Sequence, residues 1–198
     1  MPAKIDIKIH PLTPERWVDF EKLFGKNGAC AGCWCMWWLL PRAQWVAKKG
    51  EGNRQAMRSL VKTNCASGLL AYVEGQAVGW CAVAPRERYV RLANSRVLKP
   101  VDDQPVWSVT CFFVARKFRR RGITVALLKA AADFVCERGG RIVEGYPTET
   151  TRDQPDAFVY TGLAKAFRHA GFKEVARRSA TRPIFRRVLK SNRRGNHD

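Results

Sequence analysis

The sequence predicts an α/β layered domain, on three observations. Short apolar runs bounded by turn residues alternate along the chain with stretches of helical periodicity, as strands alternating with helices do. One run, Val106–Val114 ("VWSVTCFFV"), is β-branched and aromatic almost throughout, the composition of a strand buried on both faces. Directly behind it stand a basic turn, a glycine at 122 and an amphipathic segment.

Ile5, Ile7 and Ile9 alternate with polar residues and predict a first strand with one buried face. Thr13-Pro14-Glu15 combines a capping hydroxyl, a proline at the first helical position and an acid in the first turn. That helix should run to about Phe24 and stop at Gly25. Asn53 is expected to cap a second helix through about Asn64, with Met57, Leu60 and Val61 on one face and Ser67-Gly68 behind it. Leu69–Val73 and Ala77–Ala84 are strands joined by "EGQ", a compact hairpin turn. Pro85 ends the second of them, and "RERYVRL" forms a short helix. From Gly122, Val125, Leu127, Leu128, Ala131, Phe134 and Val135 recur at helical spacing as far as "RGG" at 138–140. Arg141–Tyr146 is a strand stopped by Pro147. A helix from about Gly162 to Ala170 ends at Gly171, and strands near 173–178 and 183–188 close the sheet. No internal repeat or linker interrupts the chain; "EGYPTETTRDQPD" is a loop. One domain, 1–188, is expected, with a basic tail over 189–198.

A hydrophobic content of 46% and seven tryptophans exclude a disordered basic protein. The net charge of +19 points to an anionic partner somewhere. Eight Lys or Arg lie from Arg177 onward against Asp198 alone, and five more lie in Arg116–Arg121. Seven cysteines, an odd number scattered among apolar residues, suit a reducing compartment. The N-terminus has no continuous apolar stretch of the signal-peptide kind. The longest apolar run, "CWCMWWLLP", is far below a membrane span. A soluble, cytoplasmic protein is expected.

The basic run "FVARKFRRRGIT" (113–124) could serve a nucleic-acid backbone or one cofactor's phosphates. Its order decides between them. A helix starting at Gly122 turns its first free N–H groups toward Arg119, Arg120 and Arg121. The helix dipole and the arginines then make an anion site that the glycine lets a phosphate approach closely. A nucleic-acid arm needs no such order.

At these residues the sequence resembles the GCN5-related N-acetyltransferase (GNAT) superfamily. The likeness rests on a strand ending in Val114, then "ARKF", then Arg119-x-x-Gly122-x-Thr124 and a helix, where the family has [Gln/Arg]-x-x-Gly-x-[Gly/Ala]. Downstream, "AFRHAGF" (166–172) resembles the helix-ending segment before the family's penultimate strand, so the likeness spans most of the chain. Within the superfamily, "GACAGCWCMWW" followed by "VEGYP" resembles a bacterial branch of acetyltransferases that brings no substrate with it. The resemblance implies a mixed, mostly antiparallel sheet splayed between strands 4 and 5 and flanked by helices, with acetyl-CoA as co-substrate. It implies that Phe112 and Val114 offer backbone groups to the pantetheine arm and that Arg119, Arg120, Arg121, Gly122, Ile123 and Thr124 surround the pyrophosphate. Thr124 departs from the family's Gly or Ala and crowds the loop. Phe167 stands beside the cofactor where many members carry the tyrosine that acts as general acid, and it has no proton to give.

Acetyl transfer needs a neutral amine, a proton acceptor and a donor for the departing thiolate. Tyr160 and Tyr146 are the candidate acids, each with half-buried packing as the alternative. Glu144, at a strand end by the presumed cleft, is the first candidate base, with Glu149 next. A surface charge or a water relay is the competing account of Glu144, and an amine that arrives neutral needs no base at all. Cys30, Cys33 and Cys35 read first as spectator thiols; a zinc site with Cys65, or a disulfide, are the alternatives, and no metal is expected. Trp34, Trp37, Trp38 and Trp45 fall on one face by helical spacing and are expected to pack the core. The resemblance implies that this segment walls the acceptor site, where the rings could also hold an apolar or cationic amine. The function expected is acetyl transfer to a primary amine, a small molecule favoured over a protein, by a monomer or homodimer. The alternative is a basic binding protein of the same fold that docks on nucleic acid or ribosomes.

Overall fold

The computed structural model describes residues 5–63, 65, 68–149 and 159–190. Its strands are β1 Lys8–Pro11, β2 Gly68–Val73, β3 Gln76–Pro85, β4 Trp107–Val114, β5 Ile142–Gly145, β6 Lys173–Arg177 and β7 Pro183–Val188. They form one sheet in the order β1-β2-β3-β4-β5-β7-β6. Every neighbouring pair is antiparallel except β4 and β5, which run parallel. The helices are α1 Trp17–Phe24, α2 Arg42–Ala47, α3 Glu51–Lys62, α4 Val90–Ala93, α5 Ile123–Glu137 and α6 Ala164–His169.

The sheet is covered on both faces, and the alternation of its side chains sorts them between two layers. On one face α5 lays Leu127, Leu128, Ala131 and Val135 on Ala71, Val83, Val109 and Val143. On the other, Phe20, Phe24, Trp34, Met36 and Met57 pack on Leu70, Trp80 and Ala82. A third cluster, with Trp38, Tyr89, Leu92, Tyr146 and Ile184, fills the space beyond β3 on that second face.

Parallel pairing of β4 with β5 is short. Trp107, Ser108 and Val109 face Val143, Glu144 and Gly145, and there β5 stops while β4 continues to Val114. This is the splay expected from the resemblance. At the last paired residue of β5 the Phe167 ring packs directly on Gly145, its Cε1 2.2 Å from where a Cβ would stand.

Four local expectations differ from the structure. Thr13 makes no capping hydrogen bond; a 3-10 turn, Pro14–Arg16, precedes α1 instead. Asn53 is not a cap but lies inside α3, fully buried, and its Nδ2 donates to Gly32 O at 3.0 Å and Trp45 O at 3.4 Å. The tryptophan segment is not one helical face. Residues 26–40 fold as successive turns, with positive φ at Gly28, Ala29, Ala31, Gly32, Trp34 and Cys35, and helical spacing has no meaning there. Helix α2 was not foreseen. Asn64, Ser67, the loop 150–158 and tail residues 191–198 lie outside the described residues.

Candidate active site

Strand β4 leads through a 3-10 turn, Arg116–Phe118, into the loop Arg119–Gly122 and helix α5. Arg120 (φ 60°) and Gly122 (φ 80°) both take the left-handed conformation, which turns the loop back on itself. The first bond of the helix ladder runs from Ala126 N–H to Gly122 O at 3.0 Å. The amides of Ile123, Thr124 and Val125 therefore precede the ladder and point out of the helix start. A Cβ built on Gly122 meets nothing within 4 Å, so the space in front of these amides is open. Arg120 and Arg121 are exposed beside it, Arg121 over the Phe118 ring, and Thr124 is half-buried. Ile123 instead turns inward and is 2% exposed. Donors, dipole and cations at an open helix start fit the pyrophosphate of a coenzyme A molecule.

Behind the loop, the two backbone positions expected to meet the pantetheine arm are already engaged. Phe112 N–H donates to Tyr160 O at 2.6 Å, and Val114 O accepts from Arg119 Nε at 3.0 Å. Phe167 is fully buried and lies edge-on to Phe112 and Phe172. Its ring also packs against Gly162 (φ 86°), where a Cβ would stand 3.0 Å from Phe167 Cε2 and 3.1 Å from Phe112 Cε2, in a backbone conformation that already favours glycine.

Glu144 and Tyr146 come together, but away from solvent: both are 0% exposed. Tyr146 donates to Glu144 Oε1 at 2.6 Å and shares a 2.8 Å hydrogen bond with Ser108 Oγ. Arg86 reaches Glu144 Oε1 at 2.9 Å and Arg186 Nε reaches Oε2 at 2.6 Å. A carboxylate holding three donors is an anchor rather than a base. Its second guanidinium continues to Asp102 at 2.6 Å, which pins the segment before β4 to the sheet. Burial, then the Glu144 charge, pushes the Tyr146 hydroxyl well above the ordinary tyrosine range. A cavity of about 240 Å³ opens beside this network, lined by Arg86, Asp102, Asp103, Gln104, Glu144 and Arg186. Glu149 is likewise held, by Arg168 and Arg177.

Tyr160 differs from Tyr146 in being half-buried at the mouth of the splay. Burial raises its pKa, opposed by the Arg182 charge, and Cys111 and Cys33 stand near it. The thiols do not converge on a metal: among the described residues no group of three or more His, Cys, Asp or Glu could hold one. Cys35 instead accepts from Trp80 Nε1 at 3.1 Å, and Cys30 and Cys65 are exposed.

The acetyltransferase (GNAT) family profile matches residues 26–158, well over half of the chain. The chain belongs to the GNAT family. Solved GNAT structures share its fold at low identity. The PaiA N-acetyltransferase of Thermoplasma acidophilum, in complex with coenzyme A, is 12% identical with a TM-score of 0.52, covering 93% of this chain and 100% of that one. A GNAT acetyltransferase of Listeria monocytogenes is 10% identical with a TM-score of 0.54, covering 93% and 96%. An aminoglycoside N-acetyltransferase in complex with CoA is 18% identical with a TM-score of 0.51, covering 89% and 94%. No curated protein matches the chain by sequence.

Sequence reasoning missed Arg86, Arg91, Arg182 and Arg186 around this GNAT site. One had a signal. Arg186 in "PIFRRV", like Glu144 in "RIVEGY", is a charge behind an apolar start of a strand, a pattern that asks for a buried partner.

Proposed function

We propose that the protein is an acetyl-CoA-dependent N-acetyltransferase acting by direct transfer on a small primary amine. The observation that carries this reading is the open, left-handed glycine start of α5, with free amides and exposed arginines, at the end of the splayed strand β4. Ile123, Thr124 and Val125 would offer their amides to the pyrophosphate, with Arg120 and Arg121 supplying charge. For the pantetheine arm to lie along β4, the Tyr160 carbonyl must leave Phe112 N–H, whose donor then serves the incoming acyl group. The amine nitrogen bonds to the acetyl carbon, the C–S bond breaks, the nitrogen gives up one proton to water, and the departing thiolate takes one up. Tyr160 is the candidate donor, half-buried at the mouth of the splay next to Phe112, and its hydroxyl, like any tyrosine's, carries its proton at neutral pH.

Acetyl-CoA should raise the melting temperature, since it binds the folded state; saturation at 100 times the dissociation constant adds about 2.7 kcal/mol. Gly122→Glu, which points a carboxylate into the pyrophosphate space, should abolish that rise. Tyr160→Phe should keep it and lower kcat by about 10²–10⁴-fold. An undiminished shift in Gly122→Glu would remove the helix start from the site.

A further inference from the structure

Cys30 and Cys33 stand at the two ends of one tight turn. Cys33 N–H donates to Cys30 O at 3.0 Å, and the central residues, Ala31 (φ 49°) and Gly32 (φ 68°), are both left-handed. Positive φ at both central positions is the mark of a type I′ turn, which sets its first and fourth residues side by side with Cα atoms within about 7 Å. Disulfides span about 4.4–6.8 Å between Cα atoms. The turn is also held from outside. Gly32 O accepts from Gly50 N–H and from Asn53 Nδ2, both at 3.0 Å, which ties its middle to the start of α3. The two thiols differ in access. Cys30 is exposed, whereas Cys33 is half-buried and its thiol is pushed up by burial, then by the neighbouring Cys35. Cys35 itself is 6% exposed and accepts from Trp80 Nε1 at 3.1 Å, so it belongs to the core.

We propose that Cys30 and Cys33 are a reversible disulfide pair, oxidised by low-molecular-weight disulfides, with Cys30 as the attacking thiol and Cys33 as the resolving one. Neither thiol takes part in the acetyl transfer above, so the pair stands or falls on its own. The Cys30 thiolate attacks one sulfur of the small disulfide, whose S–S bond breaks and releases a first small thiolate. The Cys33 thiol then gives its proton to water and attacks the Cys30 sulfur, and the second small thiolate leaves. Two protein thiols are oxidised, one small disulfide is reduced to two thiols, and the two protons lost by the protein end on them. The preformed turn holds the second sulfur beside the first, so closure outruns attack by a further small thiol. In a reducing compartment the pair rests as thiols and closes when small disulfides accumulate. Directly behind Cys33, Trp34 stacks on Trp17 and Phe24, so closure clamps the turn on which that aromatic packing is laid.

The full chain is incubated without oxygen with oxidised glutathione, quenched with acid and digested with trypsin. Cleavage after Lys26 and Arg42 leaves Cys30, Cys33 and Cys35 on one peptide, 27–42, whose mass reports the outcome. The wild-type peptide should lose two hydrogens, carry no glutathione and return to its thiol mass with dithiothreitol. Cys33→Ser should instead hold one glutathione on Cys30, and Cys30→Ser should react at least about tenfold more slowly. In concentrated urea, where the turn is lost, the wild-type glutathione adduct should persist at least about tenfold longer. A wild-type peptide that stays reduced, or that keeps its glutathione, overturns the proposal. So does closure that survives Cys33→Ser or Cys30→Ser, or that proceeds as fast in urea. The wild-type chain in buffer and in urea decides the matter even where a variant fails to fold.

Discussion

At Phe167 one side chain decides both shape and chemistry. Its ring fills the space that a Cβ on Gly145 would need, with Cε1 at 2.2 Å and Cζ at 2.7 Å from that position. Gly145→Ala must therefore push the ring or the strand aside, and should cost about 1–3 kcal/mol as an overpacked core does. The measurement is the urea midpoint. Restoring a tyrosine at this position should not restore an acid. The added hydroxyl of Phe167→Tyr enters a fully buried aromatic cluster, and an unpaired buried donor costs about 1–3 kcal/mol. We expect a lower melting temperature and no gain in kcat. Higher turnover at unchanged stability would show that the ring edge faces the reacting sulfur.

The turn segment 26–40 is the element that distinguishes this domain, and it is tied down from outside. Six of its residues take positive φ, so the backbone cannot satisfy itself as a helix would. Asn53 donates from inside α3 to the carbonyl of Gly32 and, beyond the segment, to that of Trp45. Asn53→Leu keeps the helix and removes both hydrogen bonds, while the Gly32 carbonyl keeps the Gly50 N–H at 3.0 Å. A loss of about 0.5–1.5 kcal/mol per hydrogen bond is expected. Because Trp34, Trp37 and Trp38 lie in this segment, tryptophan fluorescence should shift red at denaturant concentrations where the sheet is still intact. Coincident loss of both signals would mean that the segment is not a separate unit.

The whole molecule should be stable over a plateau of pH with a loss at each end. Glu149 is held below the usual carboxylate range by hydrogen bonds from Arg168, then Arg177, and Asp102 by Arg186. A depressed folded pKa gives stability that is complete above the unfolded value, about 4, and is lost as pH falls through the folded one. Protonation also raises a net charge that is already +19, and self-repulsion adds to the loss. On the alkaline side, burial pushes the Cys81 thiol well up. A raised folded pKa gives stability present below the unfolded value, about 8.5, and lost above it. Melting temperatures from pH 3 to 10 should trace this plateau, and Glu149→Gln should flatten its acid limb. An acid limb unchanged by that substitution would shift the cause to charge repulsion.

Local periodicity by itself determined β2, β3, β4, α5 and the closing strands, because burial on one or two faces writes a period of two or about 3.6 into the chain. The motif after Val114 likewise marked a helix start with phosphate chemistry, since glycine, cations and a helix are consecutive in sequence. What lies across the sheet was not legible. That Glu144 faces Arg86 and Arg186 depends on which strands become neighbours, and the parallel crossover between β4 and β5 is a decision of the whole fold. Asn53 as a cap was a sound local inference overruled by distant carbonyls. Glu144 and Arg186, 42 residues apart, meet only through tertiary structure: electrostatic fields act through space, and the order of residues along the chain carries no record of distance between segments so far apart.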